Sequence, residues 1–349
     1  MTSSSESTDT RPAVVQRPVS SDEAGMRLDR WFKLHYPGIG FGQLQKLLRS
    51  GQIRVDGSRA KTNLRLASGQ TVRVPPVEAD AKAAPQTVNT IRDRHDRDVL
   101  QEAMLYEDDV VMVINKPAGL AVQGGSGLNR HVDGMLEAFR DSKGRKPRLI
   151  HRLDRETTGV LVIAKTRGAA AELSVAFRSR RANKVYWALL WGLPKPLQGR
   201  ISTYLARGEG DASDRMTVAR HGEDDAQHAV SLYSVVEHAG QKLAWTALKP
   251  ITGRTHQLRA HAAHIGHPII GDPKYFNVEN WDLPAGIQNR LHLLARRIVL
   301  PHPDGGTIDV TAPLPQHMHQ SWAQLGFELL DDGDQDGDVF AKLERKQRR

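Results

Sequence analysis

Residues 149–165 read LIHRLDRETTGVLVIAK. Two apolar residues lead into a polar knot, His151-Arg152-Leu153-Asp154-Arg155-Glu156-Thr157-Thr158, which passes through Gly159 into Val160-Leu161-Val162-Ile163-Ala164. The closing run is apolar and β-branched and predicts a buried strand. A polar loop feeding straight into such a strand is a good mount for a reactive side chain, because the strand fixes its position. Asp154, flanked by Arg152 and Arg155, is the candidate group. An isolated loop Asp more often makes turn and salt-bridge contacts, so spacing alone leaves both roles open.

Working outward, the chain has 349 residues, 39% of them hydrophobic, enough to bury a sizeable core in more than one domain. It contains no apolar run that could span a bilayer, and its opening MTSSSESTDTRP lacks the apolar centre of a secretory signal. Cys is absent, which removes disulfides, thiolate metal sites and Cys nucleophiles and fits a cytoplasmic protein. A net charge of +9 favours a polyanionic partner, nucleic acid foremost.

Residues 1–20 are Ser/Thr-rich and are expected to be disordered. Residues 21–76 then predict a small α/β module: a helix over 27–33 with Leu28, Trp31 and Phe32 on one face, and another over 43–50 closed by Gly51. Short strands follow at 52–55 and 71–74, with Asp56-Gly57 as a hairpin turn. From Phe41 to Pro75 the basic residues Lys46, Arg49, Arg54, Arg59, Lys61, Arg65 and Arg73 face one acid, Asp56. The bland reading is a solvated basic face. So one-sided a bias favours phosphate contact with folded RNA, and Lys46, Arg49 and Arg54 are candidate contacts.

Residues 77–102 read as a linker, and 103–328 as the main domain. A strand over 110–114 precedes Asn115-Lys116-Pro117-Ala118-Gly119 and a glycine-rich loop, Gln123-Gly124-Gly125-Ser126-Gly127. That loop lacks the spacing and the Lys-Ser/Thr ending of a P-loop, which excludes an NTPase. A helix over 169–178, a strand over 184–190 carrying Tyr186, an exposed excursion over 207–227 and a strand over 243–248 come next. The pattern turns helical within 251–261, and strands follow at 296–300 and 307–310. Strands with interspersed helices and no regular βαβ alternation predict α+β with a mixed, mainly antiparallel sheet. Residues 329–349 form a charged tail expected to be disordered; 332–337 imitate a calcium loop whose closing acid falls one position late.

The string HRLDRETTGVLVIAK resembles the active-site signature of RNA pseudouridine synthases, in the branch that modifies large-subunit ribosomal RNA and some transfer RNA. NKPAG, GGSG, the Tyr186 strand and TGRTHQLRAH at 252–261 extend the likeness. With residues 21–76, which resemble a small RNA-binding module named after a small-subunit ribosomal protein, it covers roughly four-fifths of the chain. The resemblance implies that Asp154 is the catalytic carboxylate, that Tyr186 stacks on the target uracil and that Arg259 pairs with Asp154. Arg152 would enter the gap left by the flipped nucleotide, and Lys116, Arg155 and Leu258 would contact the RNA. Gln123 stands where the family often has His.

The implied partner is large-subunit ribosomal RNA, met by a cytoplasmic monomer with no membrane attachment. Turning uridine into pseudouridine breaks N1–C1′ and rejoins the base through C5. Atoms are conserved, so no cofactor and no metal is expected. A transfer-RNA pseudouridine synthase and a non-catalytic RNA-binding or ribosome-assembly factor remain alternatives. A glycosidase fits less well, since hydrolysis needs two spaced carboxylates and Glu156 lies only two residues from Asp154. His256, His261, His264 and His267 could suggest zinc, yet no Cys and no His-Glu-x-x-His pattern supports them. Whether Asp154 attacks the sugar or takes a proton from it stays open.

Overall fold

The computed structural model describes residues 14–20, 23–36, 38–76, 90–124, 130–142, 144–276, 284, 286–328 and 340. The first half of the expected linker, the centre of the glycine-rich loop and the calcium-like segment lie outside these. The chain divides into two compact units, Met1–Thr90 and Ile91–Arg349.

The smaller unit contains β1 (Val15–Pro18), α1 (Leu28–His35), α2 (Phe41–Arg49), β2 (Arg54–Val55), β3 (Ser58–Arg59) and β4 (Thr71–Val74), with its sheet in the order β1-β4-β2-β3. Leu28, Trp31, Phe32, Leu44 and Leu48 from the helices close on Ile53, Val55, Val72 and Val74. Asp56 and Gly57 both take positive φ, as a tight hairpin requires. The expectation of disorder through residue 20 fails at β1, which pairs antiparallel with β4. All four β1 residues are exposed, so backbone pairing holds it and no apolar alternation announces it.

The larger unit opens with α3 (Thr90–Glu102), where a linker was expected. Its charged sequence hides the anchors: Leu100 is buried and Asp96 accepts two bonds from Arg130. Then follow β5 (Met104–Glu107), β6 (Val111–Lys116), α4 (Val132–Met135), β7 (Arg148–Leu149), β8 (Thr158–Ala164), α5 (Arg167–Arg178) and β9 (Asn183–Trp191). The rest is β10 (Gln198–Arg207), β11 (Met216–Ala219), β12 (Gln227–Ala239), β13 (Leu243–Pro250), α6 (Gln257–His264), β14 (Leu293–Pro301), β15 (Thr307–Thr311) and α7 (Gln316–Leu325). One sheet runs β11-β10-β12-β13-β9-β14-β8-β6-β5, with β15 on β14 and β7 on β8. Only β8 and β14 pair in parallel among the described strands, so the unit is α+β with a mixed, mainly antiparallel sheet. The excursion over 207–227 is a strand in part, since β11 pairs with β10. In the charged tail, Phe340 is buried in the main core.

Strand alternation gives the sheet two apolar faces. Val160, Val162, Trp187, Leu189 and Trp245 face α5 and α7 on one side. The other side holds two separate clusters: Met112, Ile114, Leu161 and Ile163 with Leu100 and α4, and Ala188, Leu190, Leu248 and Leu293 with α6. Tyr186 packs against both.

At Gly159 the two parallel strands touch. Its φ is +106°, and a Cβ there would lie 2.2 Å from the Ala295 carbonyl oxygen. Neither the conformation nor the space admits a side chain. A Gly159→Ala protein is expected to lose about 1–3 kcal/mol or more of stability, read as a lower urea midpoint than wild type.

Candidate active site

Asp154 sits in the loop between β7 and β8, and buried neighbours brace that loop. His151 Nε2 accepts a bond from the Val162 backbone N–H at 2.9 Å, while its ring stacks on Phe177 at 4.5 Å. Burial, then the nearby Lys184 charge, pushes His151 down to about 3, so it stays a neutral acceptor. Leu153 is buried beside it.

Lys116 corrects the expectation of an RNA contact. Its side chain is buried, and Nζ donates to the carbonyls of Pro117, Leu120 and Arg155 at 2.8–2.9 Å. Three acceptors consume all three ammonium protons and leave none for a phosphate. Burial draws Lys116 down to about 7 against the opposing charges of Glu156 and Asp154. This lysine ties the end of β6 to the Asp154 loop. Arg155 reinforces the tie, exchanging bonds with Gly119 through its backbone oxygen and Nε.

The opposite wall comes from α6. Gln257 is buried with every polar atom engaged: Oε1 accepts from Thr252 Oγ1 and Arg254 N, and Nε2 donates to Val230 O and Ser231 Oγ. His261, buried one turn later, lies between Ser231 and Thr203. These bonds clamp α6 against β10 and β12 and fix Arg259, whose side chain is 3% exposed. Arg259 Nε and Nη2 reach Asp272 at 2.7 Å each, and Nη1 lies 3.4 Å from Asp154 Oδ2. Burial disfavours the guanidinium charge, but Asp272 and Asp154 outweigh it and raise Arg259 above its ordinary value. The Tyr275 ring lies 5.2 Å beneath the guanidinium.

Asp154, Arg152, Tyr186, His256, Leu258 and Arg259 line one cavity of about 620 Å³, within the range that takes a small ligand. Burial, then the Asp154 charge, raises the Tyr186 hydroxyl, keeping it protonated. Arg178, Arg180, Lys184 and Arg254 also border the space and make it strongly positive. The cavity thus gathers the expected Asp154, Tyr186, Arg259, Arg152 and Leu258. Arg155 and Glu156 lie off its lining and approach each other at 3.5 Å. Lys46, Arg49 and Arg54 belong to the smaller unit, where Arg54 donates to the carbonyls of Gly51 and Gly57. The histidines diverge: His267 meets Trp191 O and His256 meets Tyr275.

Asp272 and Tyr275 escaped the sequence reading. A signal was present, because Gly271-Asp272-Pro273 is a turn-forming triplet and Asp272 Oδ1 also accepts from Lys274 N.

A carboxylate facing a buried guanidinium, in a cationic cavity that a tyrosine also lines, suits a polyanionic substrate. Residues 110–264 match the family model described as RNA pseudouridylate synthase. The chain is 35% identical to the ribosomal large subunit pseudouridine synthase C of Yersinia pestis, covering 88% of this chain and 94% of that one. It is 32% identical to the Escherichia coli K12 protein of the same name, covering 90% and 97%. Among solved structures, human RNA pseudouridylate synthase domain containing 4 superposes with a TM-score of 0.59 at 28% identity, over 70% of this chain and 100% of that one. The chain belongs to the RNA pseudouridylate synthase family, enzymes that isomerise uridine to pseudouridine.

Asp272 is fully buried against Arg259. An Asp272→Ala protein leaves that cation without its main partner and is expected to lose about 3–5 kcal/mol, measured by urea unfolding, with isomerase activity falling alongside.

Proposed function

We propose that this protein isomerises specific uridines of large-subunit ribosomal RNA to pseudouridine, with Asp154 as the catalytic carboxylate. The observation that carries this reading is Asp154 Oδ2 at 3.4 Å from a buried arginine, in the cavity that also holds Tyr186. Relatives at 32–35% identity over most of their length carry the ribosomal large subunit name, which supports the choice of RNA.

A uridine inside a fold of RNA is out of reach, so it is everted at a cost of a few kcal/mol. Stacking on Tyr186 returns about 1–3 kcal/mol, while Arg152 occupies the vacated space. Asp154 acts on the ribose side of the N1–C1′ bond. The detached uracil turns, C5 bonds to C1′, C5 gives up its hydrogen and N1 gains a proton, so the sum of atoms is unchanged. Walls such as Leu258 limit water, which favours rejoining over hydrolysis. The smaller unit contributes RNA affinity through exposed Lys46, Arg49, Arg59 and Lys61. The protein works as a monomer in the cytoplasm.

An Asp154→Asn protein is expected to fold and bind a large-subunit RNA transcript yet form no pseudouridine in digested nucleosides; normal product would remove Asp154 from the mechanism. A Lys46→Ala/Arg49→Ala protein is expected to bind the transcript more weakly, with the slope of log K against log salt shallower by about 2, as fluorescence anisotropy at several salt concentrations would record.

A further inference from the structure

The two oxygens of Asp154 are not equivalent. Arg259 Nη1 lies 3.4 Å from Oδ2 and His256 Nε2 lies 3.9 Å from the same atom. Among the described residues no hydrogen bond reaches Oδ1.

His256 opens α6 in the left-handed region, at φ 50° and ψ 17°, a conformation a β-carbon disfavours. Such strain persists where the surroundings over-determine it. Its other ring nitrogen, Nδ1, lies 3.1 Å from the Tyr275 hydroxyl, and that hydroxyl oxygen already accepts the Met216 N–H at 2.7 Å. Among the described residues Nδ1 is the acceptor that lies within reach of the phenol proton, so the hydroxyl donates to it. The hydrogen-bond network therefore assigns the proton of neutral His256 to Nε2, on the side of Asp154.

We propose that the two Asp154 oxygens divide the work: Oδ2 is anchored by Arg259 and by His256, a positioning residue whose tautomer Tyr275 sets, and Oδ1 is the oxygen that engages the uridine. The inference rests on Asp154 being the catalytic carboxylate. A separation of 3.9 Å is longer than a hydrogen bond, and catalytic contacts often stand long before substrate is bound. Burial, aided by Arg259 and Lys274 against Asp154 and Asp272, holds His256 below its ordinary value, consistent with the neutral ring. Burial likewise holds the Tyr275 hydroxyl at about 12, so its proton is present to give.

The test compares single-turnover release of tritium from a large-subunit ribosomal RNA transcript labelled at uridine C5, with affinity for the same transcript measured separately. His256→Ala is expected to slow release about 10²-fold, the scale of a misplaced reacting group, with RNA affinity unchanged. Gln extends an amide N–H toward the Nε2 position, so His256→Gln is expected to recover most of the rate. Tyr275→Phe frees the tautomer and is expected to slow release about 10-fold. An unchanged rate in His256→Ala, a loss of affinity matching the loss of rate, or a Gln variant no better than Ala would overturn the proposal. Should His256→Ala fail to fold by circular dichroism, Tyr275→Phe decides: wild-type release refutes the inference. Asp154→Asn separates the two ideas, since turnover in that variant defeats the catalytic reading itself. An inert Asp154→Asn with a normal His256→Ala defeats only the division of labour.

Discussion

A single buried guanidinium holds the site together. Arg259 carries its charge almost out of water, which is tolerable only because Asp272 meets it along two parallel bonds. That fork also sets orientation: with Nε and Nη2 taken, Nη1 is left facing Asp154. A lysine could neutralise Asp272 but could not hold both carboxylates in one plane. The Asp272 turn is itself tied to the β10–β11 connection, through Met216 N to Tyr275, Arg215 to Lys274 O and Lys274 to Asp214. A surface strand pair and a buried ion pair thus share one support.

Charge is partitioned by depth. Arg152, Arg178, Arg180 and Arg254 border the cavity, while Asp154 is the acid on its lining. The positive border draws in a phosphate chain and raises local substrate concentration. In the proposed reaction Asp154, opposite Arg259, is the group left for chemistry. Lys116 belongs to a different economy, its charge spent wholly on backbone carbonyls under the loop.

Much of this was legible in the residues. The run after Gly159 is buried throughout as β8, and Leu28, Trp31 and Phe32 fall on the inner face of α1. Asp154 and Arg259 approach each other across 105 residues of sequence, with Tyr186 lining the same cavity, and resemblance in three separate segments, not spacing, singled them out. What stayed hidden has physical causes. β1 has no buried side chain, and α3 shows mostly charge. β12 loses its alternation at a bulge between Val235 and Glu237. A sequence reports that Lys116 is cationic but not that three carbonyls surround it. Asp272 acquires its meaning only once Arg259 is known to be buried.

Asp154 follows Leu153 of one apolar cluster, and Arg259 follows Leu258 of the other, yet both clusters rest on the same continuous sheet. The gap between the walls is therefore governed by how β8, β14 and β9 coil about one another. Packing far behind the cavity, where Trp187, Trp245 and Trp322 press on the reverse face, has leverage on that coiling. A change in that aromatic backing alone would therefore widen or narrow the cavity with every lining side chain kept.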